Sequence, residues 1–147
     1  MATRDEVYCK FGLAAEAAQL FETELSTVLL AARGLEKGWY TQPDADNARK
    51  ALNEINAYTL GALLKQLKAS MNLDDALKDK FGSALKARNR LSHGFFEQHN
   101  FRIQTDRGRD IMIADLEILH DELFQAWQSA AAISHAVVDW AKKLKVE

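Results

Sequence analysis

Four polar residues stand close together in the stretch RNRLSHGFF, and their side chains are suited to a phosphate group. They are Arg88, Asn89, Ser92 and His93. A guanidinium binds phosphate oxygens through two parallel hydrogen bonds, and histidine both takes and gives protons near neutral pH. These groups suffice to cleave RNA without a metal. One removes the 2′-hydroxyl proton, one protonates the leaving oxygen, and the cation stabilises the phosphorane charge.

These residues are predicted at the end of a helix running from about Asp74 to His93. A helix turns by about 100° per residue, so Asn89 and His93 share one face and Arg88 and Ser92 share the adjacent one. The spacing also puts Arg88 in an otherwise apolar stripe, where a guanidinium needs an acid, a solvent-filled groove or another subunit. Two copies across a dimer axis would supply two histidines and two arginines. Alternatively, these are surface residues that compensate the helix dipole.

Three other segments have the period of an amphipathic helix, with apolar residues at steps of three and four. One ends at Gly34 to Gly38, one begins near Asp44, and one forms the last part of the chain. After the helix that runs from about Asp74 to His93, Gly94 is expected to adopt the left-handed conformation that closes many helices. The three stripes are Val7, Phe11, Ala14, Ala18, Phe21, Leu25 and Val28; Ala48, Leu52, Ile55, Thr59, Leu63 and Leu67; and Leu116, Leu119, Leu123, Trp127, Ala130, Val137, Ala141 and Leu144.

The period changes in NFRIQTDRGRDIMI, where apolar residues alternate on both sides of the residues 106–108. Alternation around such a turn predicts a short β-hairpin or an extended loop. Arg102, Arg107 and Arg109 in this segment either steer RNA toward the site or belong to a solvated turn. His99, just before it, either adds a second imidazole or has no role in the site.

The predicted fold class is therefore all-α, an antiparallel up-and-down four-helix bundle with a small β-hairpin before the last helix. The length of 147 residues favours a single domain spanning 1–147. Trp39 and Tyr40, which follow the first helix, either stack on bases or close one end of the bundle. Phe95 and Phe96 are interpreted as core or interface residues.

Composition narrows the classes of function. Hydrophobic residues make up 48% of the chain and charged residues 27%, which is typical of a globular protein. The net charge of −2 argues against a constitutive nucleic-acid binder, so contact with RNA is expected to be local. The single cysteine, Cys9, cannot form an internal disulfide and is expected to be buried. No signal peptide and no apolar run of about 18 residues is found, which predicts a cytoplasmic protein without a membrane partner.

The sequence RNRLSH resembles the Arg-x4–6-His signature of the HEPN superfamily, in which a polar residue, often asparagine, follows the arginine. Arg88, Asn89 and His93 match these positions. The ending RNRLSHGFF is similar to that of several bacterial members, and YTLGALLKQL (58–67) resembles the helix before the signature. The order of two helices, the signature helix and a last helix agrees over most of the chain.

The resemblance implies a helical homodimer whose two signatures meet in a cleft. In active members the cleft is a metal-independent endoribonuclease site, and many members are toxins or act in phage defence. Other members are catalytically silent modules that bind protein or RNA. Members regulated by a nucleotidyltransferase antitoxin carry a tyrosine two residues after the histidine. Phe95 stands there, which argues against that regulation and leaves another antitoxin partner open.

On this interpretation His93 performs acid–base chemistry, Arg88 binds phosphate, and Asn89 orients His93 or the phosphate. Ser92 is expected to support these three side chains without contacting the substrate itself. A basic rim around the cleft would favour the nuclease over the silent module, and its predicted members are Lys86, Arg90, Arg102 and Arg107. Neither a metal nor a cofactor is expected.

Overall fold

The structure is a computed structural model that describes residues 1–146, with side chains through Leu144. Helices form nearly all of the described chain, and no strand occurs within it. The prediction of an all-α fold is therefore confirmed. The elements are α1 (Arg4–Lys37), α2 (Ala45–Asn56), α3 (Leu60–Ser70), α4 (Asp75–His93), α5 (Phe95–His99), a 3₁₀ helix (Asn100–Gln104) and α6 (Asp106–Val146).

The chain divides into two compact units, and the long helices contribute a part to each. The first unit combines Met1–Phe21 with Asp79–Trp127, and so contains the signature residues. The second unit combines Glu22–Lys78 with the chain from Gln128 onward. The organisation as a single domain stays a prediction.

The first unit has a core of aliphatic and aromatic side chains from α1, α4, α5 and α6. Phe21 and Phe81 pack with their ring centroids 5.5 Å apart, and neither ring is exposed. Burying a side chain of this size contributes about 1.5–3 kcal/mol. The predicted stripes supply most of this core, whose members include Val7, Ala14, Ala18, Phe21, Phe81, Ala84, Leu91, Phe95, Met112, Leu116, Leu119 and Leu123.

In the second unit, the predicted second helix is two helices rather than one. Asp44 caps α2, because its carboxylate accepts a hydrogen bond of 3.2 Å from the Asn47 amide. Thr59 lies in the predicted stripe, yet it caps α3 by accepting from the Ala62 amide at 3.2 Å. The helical conformation is therefore interrupted at 57–59, because the Thr59 hydroxyl accepts a hydrogen bond from an amide in the first turn of a new helix. The buried residues on either side are Ala51, Ile55, Leu60, Leu63, Leu64 and Leu67.

The predicted β-hairpin is wrong, because its turn residues are the first turn of α6. Thr105 caps this helix by accepting from the Gly108 amide at 2.9 Å. Gly108 lies so close to the 3₁₀ helix that a Cβ there would be 2.0 Å from the Arg102 carbonyl oxygen. The alternation was misleading, since Phe101 is 69% and Ile111 42% exposed while Met112 is fully buried. Burial thus follows the helical period from Met112 onward.

Two smaller results concern the surface. Cys9 is exposed on α1 and not buried as expected. Within residues 1–146, no helix combines the length and apolar character that crossing a bilayer requires.

Candidate functional site

The C-terminal end of α4 places the signature residues beside the core of the first unit. Phe81, Ala84, Ala87 and Leu91 form the buried side of this helix. Arg88 is half-buried, and a turn of about 100° per residue puts it between Ala84 and Phe81 around the helix axis, so its position agrees with the expected apolar stripe.

Arg88 and Asn89 contact each other directly. Arg88 Nη1 donates to Asn89 Oδ1 at 3.3 Å, and this bond is exposed. His93 follows Asn89 by four residues, so it stands on the same face one turn later. Asn89, Ser92 and His93 are all exposed. We refer to Arg88, Asn89, Ser92 and His93 as the exposed strip.

The end of α4 also differs from expectation at Gly94. The φ of this residue is 178°, an extended value, rather than that of the left-handed conformation. Gly94 stands at the N-cap of α5, so the chain leaves one helix and enters the next at this residue. Arg90 and His93 lie in the last turn of α4, where positive charge is favourable to the helix dipole.

Arg90 has a set of partners that the sequence did not predict. Its Nη1 and Nη2 donate to the two Asp115 oxygens at 3.0 and 2.7 Å, and its Nε donates to Gln98 Oε1 at 3.0 Å. The hydrogen bond from Arg90 holds the pKa of Asp115 below its ordinary value, and that from His99 acts in the same direction. The hydrogen bond with Asp115 also raises the pKa of Arg90. These bonds tie the end of α4 to α5 and α6.

His99 is buried at the centre of the same group and has 5% of its side chain exposed. Its Nε2 lies 2.7 Å from Asp115 Oδ2, and its Nδ1 lies 3.0 Å from Arg102 Nη1. A guanidinium only donates, so Nδ1 accepts and Nε2–H donates to the carboxylate. We call Arg90, Gln98, His99, Arg102 and Asp115 the anchoring network.

Sequence reasoning singled out His99 but not its partner. Asp115 is sixteen residues further on, and a helix break and a 3₁₀ helix separate the two. Such a spacing has no periodic pattern that could reveal the pair. The one signal in the sequence was the place of Asp115 in the predicted last helix, directly before the stripe residue Leu116.

The four residues of the predicted basic rim differ in their exposure and in their hydrogen-bond partners. Lys86 and Arg107 are exposed, and Arg102 is exposed while it donates to His99. Arg90 already has three intramolecular acceptor atoms. Contact of these four residues with RNA stays a prediction.

Arg109, in the same segment, holds backbone together instead of facing a ligand. Its Nε donates to the Ala2 carbonyl at 2.6 Å and its Nη1 to the Ile103 carbonyl at 2.9 Å. Its Nη2 also pairs with Asp106. One guanidinium thus joins the start of the chain, the 3₁₀ helix and α6.

The phenylalanine pair after the signature has one buried and one exposed member. Phe95 is 1% exposed, and its ring packs in a tilted arrangement on His99 with 4.6 Å between the ring centroids. Phe96 is 39% exposed and packs on Phe11 at 5.1 Å and Tyr8 at 6.3 Å. The interpretation of Phe95 as a core residue is confirmed, and Phe96 covers the outside of α1.

In the second unit, Trp39 lines a recess of about 670 Å³ between α1 and α2. Tyr40 packs on Gly34 so closely that a Cβ there would lie 3.0 Å from Tyr40 Cε2. Burial raises the pKa of the Tyr40 hydroxyl. Three carboxylates, those of Glu36, Asp44 and Glu54, also line the recess.

In residues 1–146, no group of three or more His, Cys, Asp or Glu side chains is placed to hold a metal ion. The fold and the site thus define an all-helical protein with an exposed Arg-Asn-Ser-His strip at a helix end. Comparisons with protein-family models, curated proteins and solved structures gave no match.

Proposed function

We propose that the protein is a metal-independent endoribonuclease of the HEPN type, with an active site shared across a homodimer. The observation that carries the proposal is the contact of the half-buried Arg88 with the exposed Asn89, one turn before the exposed His93. The resemblance of RNRLSH to the HEPN signature supports the same reaction. The proposed setting is a toxin or phage-defence component in the cytoplasm.

The reaction is a transesterification that the exposed strip can serve. The imidazole of one His93 takes the proton of a ribose 2′-hydroxyl while its oxygen attacks the adjacent phosphorus. The bond to the 5′-oxygen breaks, and a second, protonated imidazole gives that oxygen a proton. The products are a 2′,3′-cyclic phosphate and a 5′-hydroxyl. Arg88 stabilises the charge of the phosphorane, and Asn89, bonded to it, fixes the direction of the guanidinium.

A homodimer follows from this chemistry, because each chain has one histidine in the strip and the reaction uses two. The proposal therefore includes two copies whose α4 ends face each other. The proposal also includes an antiparallel four-helix bundle within each copy. Its first member is α1, its second is the pair α2 and α3, its third is α4 and its fourth is α6. A further protein, such as an antitoxin, would act by covering the strip.

A second candidate is a catalytically silent dimer of the same type that binds protein or RNA. Two observations favour it. The net charge of −2 gives little long-range attraction for RNA. In addition, Asp115 neutralises Arg90, one of the four predicted rim residues.

The test is cleavage of labelled RNA of several classes by the purified protein in the presence of a chelator. We expect cleavage by the wild type, and a loss of at least about 100-fold in His93→Ala and Arg88→Ala. The matched controls are His135→Ala and Arg49→Ala, exposed residues of the second unit, which should cleave as the wild type does. Absence of cleavage by a folded dimer on every RNA would support the silent module.

Mixing tests whether the site is shared between two copies. A fixed amount of wild type is incubated with increasing His93→Ala protein. A shared site has only one imidazole in a mixed dimer, so activity falls below that of the same wild type alone. Constant activity at a large excess of the variant would place the whole site within one chain.

A further inference from the structure

The first unit contains a second recess, formed by the segment from α5 to the start of α6. Its volume is about 440 Å³, which lies in the range of ligand pockets. The lining supplies one guanidinium, one imidazole, two amides, one hydroxyl and one phenyl ring, and it includes no carboxylate. The lining residues are Gln98, His99, Asn100, Phe101, Arg102 and Thr105.

The side chain of Arg102 in this recess is held in position by hydrogen bonds through His99 to Asp115. Arg102 Nη1 donates to His99 Nδ1 at 3.0 Å, and Asp115 fixes His99 through its other nitrogen at 2.7 Å. A guanidinium has five N–H donors, and this bond uses one of them. Because the Arg102 side chain is exposed, its other donors face solvent or a ligand. A preorganised arginine loses less side-chain entropy when it binds a phosphate.

The phenyl ring of the recess is unusually accessible. Phe101 is 69% exposed, whereas Phe95 and Phe96 in the preceding helix pack on other rings. An exposed aromatic ring and a fixed arginine in one recess form a combination that is typical of sites for single-stranded nucleic acid. The base stacks on the ring while the guanidinium holds a phosphate. In the recess of the second unit, three carboxylates offset the three cations Arg33, Lys37 and Lys50, whereas the lining of this recess has an arginine and no carboxylate.

We infer that this recess binds one nucleotide of a single-stranded RNA, with the phosphate on Arg102 and the base on Phe101. His99 and Asp115 are positioning residues for that arginine. The assignment of the nucleotide to an RNA chain rests on the ribonuclease function proposed above. The complementarity of the lining to a phosphate and a base does not depend on it.

The experiment measures binding of fluorescein-labelled decauridylate by anisotropy, in the His93→Ala protein so that the probe stays intact. Arg102→Ala should raise Kd by at least about 5-fold and reduce the salt slope by about 0.7, the value for one phosphate contact on a single strand. Phe101→Leu should raise Kd by about 10-fold, the loss of one stacked base. The controls Arg49→Ala and Trp140→Leu remove an exposed arginine and a 54% exposed ring in the second unit, and should change Kd by less than 2-fold.

Three further arms decide the outcome. A decamer of abasic sites should keep the effect of Arg102→Ala and lose that of Phe101→Leu; an unchanged effect of Phe101→Leu would overturn base stacking. Uridine monophosphate should bind far more weakly than the decamer, and equal affinity would overturn the assignment to an RNA chain. Equal Kd values for Arg102→Ala, Phe101→Leu and both controls would overturn the recess as a site.

The cleavage assay is separate, so the two proposals fail in distinguishable ways. Wild-type cleavage with no effect of Arg102 or Phe101 on binding rejects the recess and leaves the ribonuclease. Binding that depends on both residues, without any cleavage by the wild type, retains the nucleotide site and rejects the ribonuclease.

Discussion

Arg88 and Arg90 stand two residues apart on α4, yet they belong to different regions of the first unit. Arg90 is held by both oxygens of Asp115 and by Gln98. Arg88 donates to its neighbour Asn89 in an exposed bond. Two residues correspond to about 200° around a helix, so the two guanidiniums leave on nearly opposite sides. The two arginines therefore serve different contacts, since Arg90 belongs to the anchoring network and Arg88 to the exposed strip.

This difference shows why a short motif does not identify its own structural arginine. Both arginines lie within the six residues RNRLSH. Residue type alone does not show which of them has the structural role. The contact with Asp115, which a distant part of the sequence provides, identifies Arg90 as the one that ties α4 to α6. If the two regions have separate roles, damage to the network should lower stability, while damage to the strip should lower activity alone.

The largest effect on the network side is expected from Gly108→Ala. The new Cβ would lie 2.0 Å from the Arg102 carbonyl oxygen and 2.6 Å from its Cα, so the 3₁₀ helix and α6 must move apart. We expect a loss of about 3 kcal/mol in the free energy of unfolding. This corresponds to a fall of roughly 10 °C in melting temperature.

Thermal and urea unfolding monitored by circular dichroism check the value. Gly12→Ala is the matched control, because a Cβ at Gly12 meets no atom within 4 Å. That change should leave stability equal or raise it by up to about 1 kcal/mol, since alanine is the better helix former. Equal melting temperatures for the two variants would show that α6 does not depend on the close approach.

Asp115→Ala should have the next largest effect. It removes the acceptor of two hydrogen bonds from Arg90 and of the bond from His99. We expect a loss of about 2 kcal/mol, within the range for hydrogen bonds to a charged group. The partial exposure of Arg90 keeps the loss below that of a fully buried pair.

Urea unfolding at pH 7 measures this loss. Asp121→Ala is the control, because Asp121 is an exposed carboxylate on the same helix that accepts from Gln125 at 3.0 Å. Its loss should stay within about 0.5 kcal/mol. If both variants lose the same amount, Asp115 is an ordinary surface residue and the network has no anchoring role.

The pH dependence of stability sharpens the same point. Arg90 holds the pKa of Asp115 below the ordinary aspartate value of 3.8, so the folded state favours the carboxylate. This stabilisation is fully present above the ordinary pKa and is lost as the pH falls through the lowered folded pKa. The difference in unfolding free energy between wild type and Asp115→Asn should therefore be constant from pH 7 to about pH 5. It should then narrow toward pH 3 and below.

Urea titrations of the two proteins at four pH values between 7 and 3 measure the difference. Comparing the two proteins cancels the contribution of all other carboxylates. A difference that stays constant down to pH 3 would mean that the Asp115 carboxylate is not favoured in the folded state.

Helical periodicity was sufficient to predict the all-α fold and most of the buried stripe on α1. Val7, Ala14, Phe21 and Leu25 are buried as the steps of three and four require. Periodicity failed where side-chain hydrogen bonds decide the backbone. Thr59 and Thr105 both lie in segments that the apolar pattern assigned to another structure, and each begins a new helix by capping an amide. The spacing of apolar residues shows which face of a helix is apolar. It does not show where a side chain caps a helix end.

The site was predictable to a different extent. The joint placement of Asn89 and His93 on one face of α4 follows from their spacing, because both lie within a single helix. The anchoring network was not predictable, because its members come from four different elements. Such contacts depend on how α4, α5, the 3₁₀ helix and α6 pack. No local spacing in the sequence determines that packing.

The smallest change in stability is expected from Asn89→Ala, on the strip side of the comparison. Asn89 is exposed, and its bond from Arg88 is 3.3 Å long and open to water. The free energy of unfolding should therefore change by no more than about 0.5 kcal/mol. RNA cleavage should nevertheless fall by roughly 10-fold or more, because a guanidinium without its fixed neighbour loses its direction toward the phosphorane. Unfolding and cleavage are measured on the same preparation. A loss of 1 kcal/mol or more would place Asn89 among the structural residues of α4 and remove the distinction between the strip and the network.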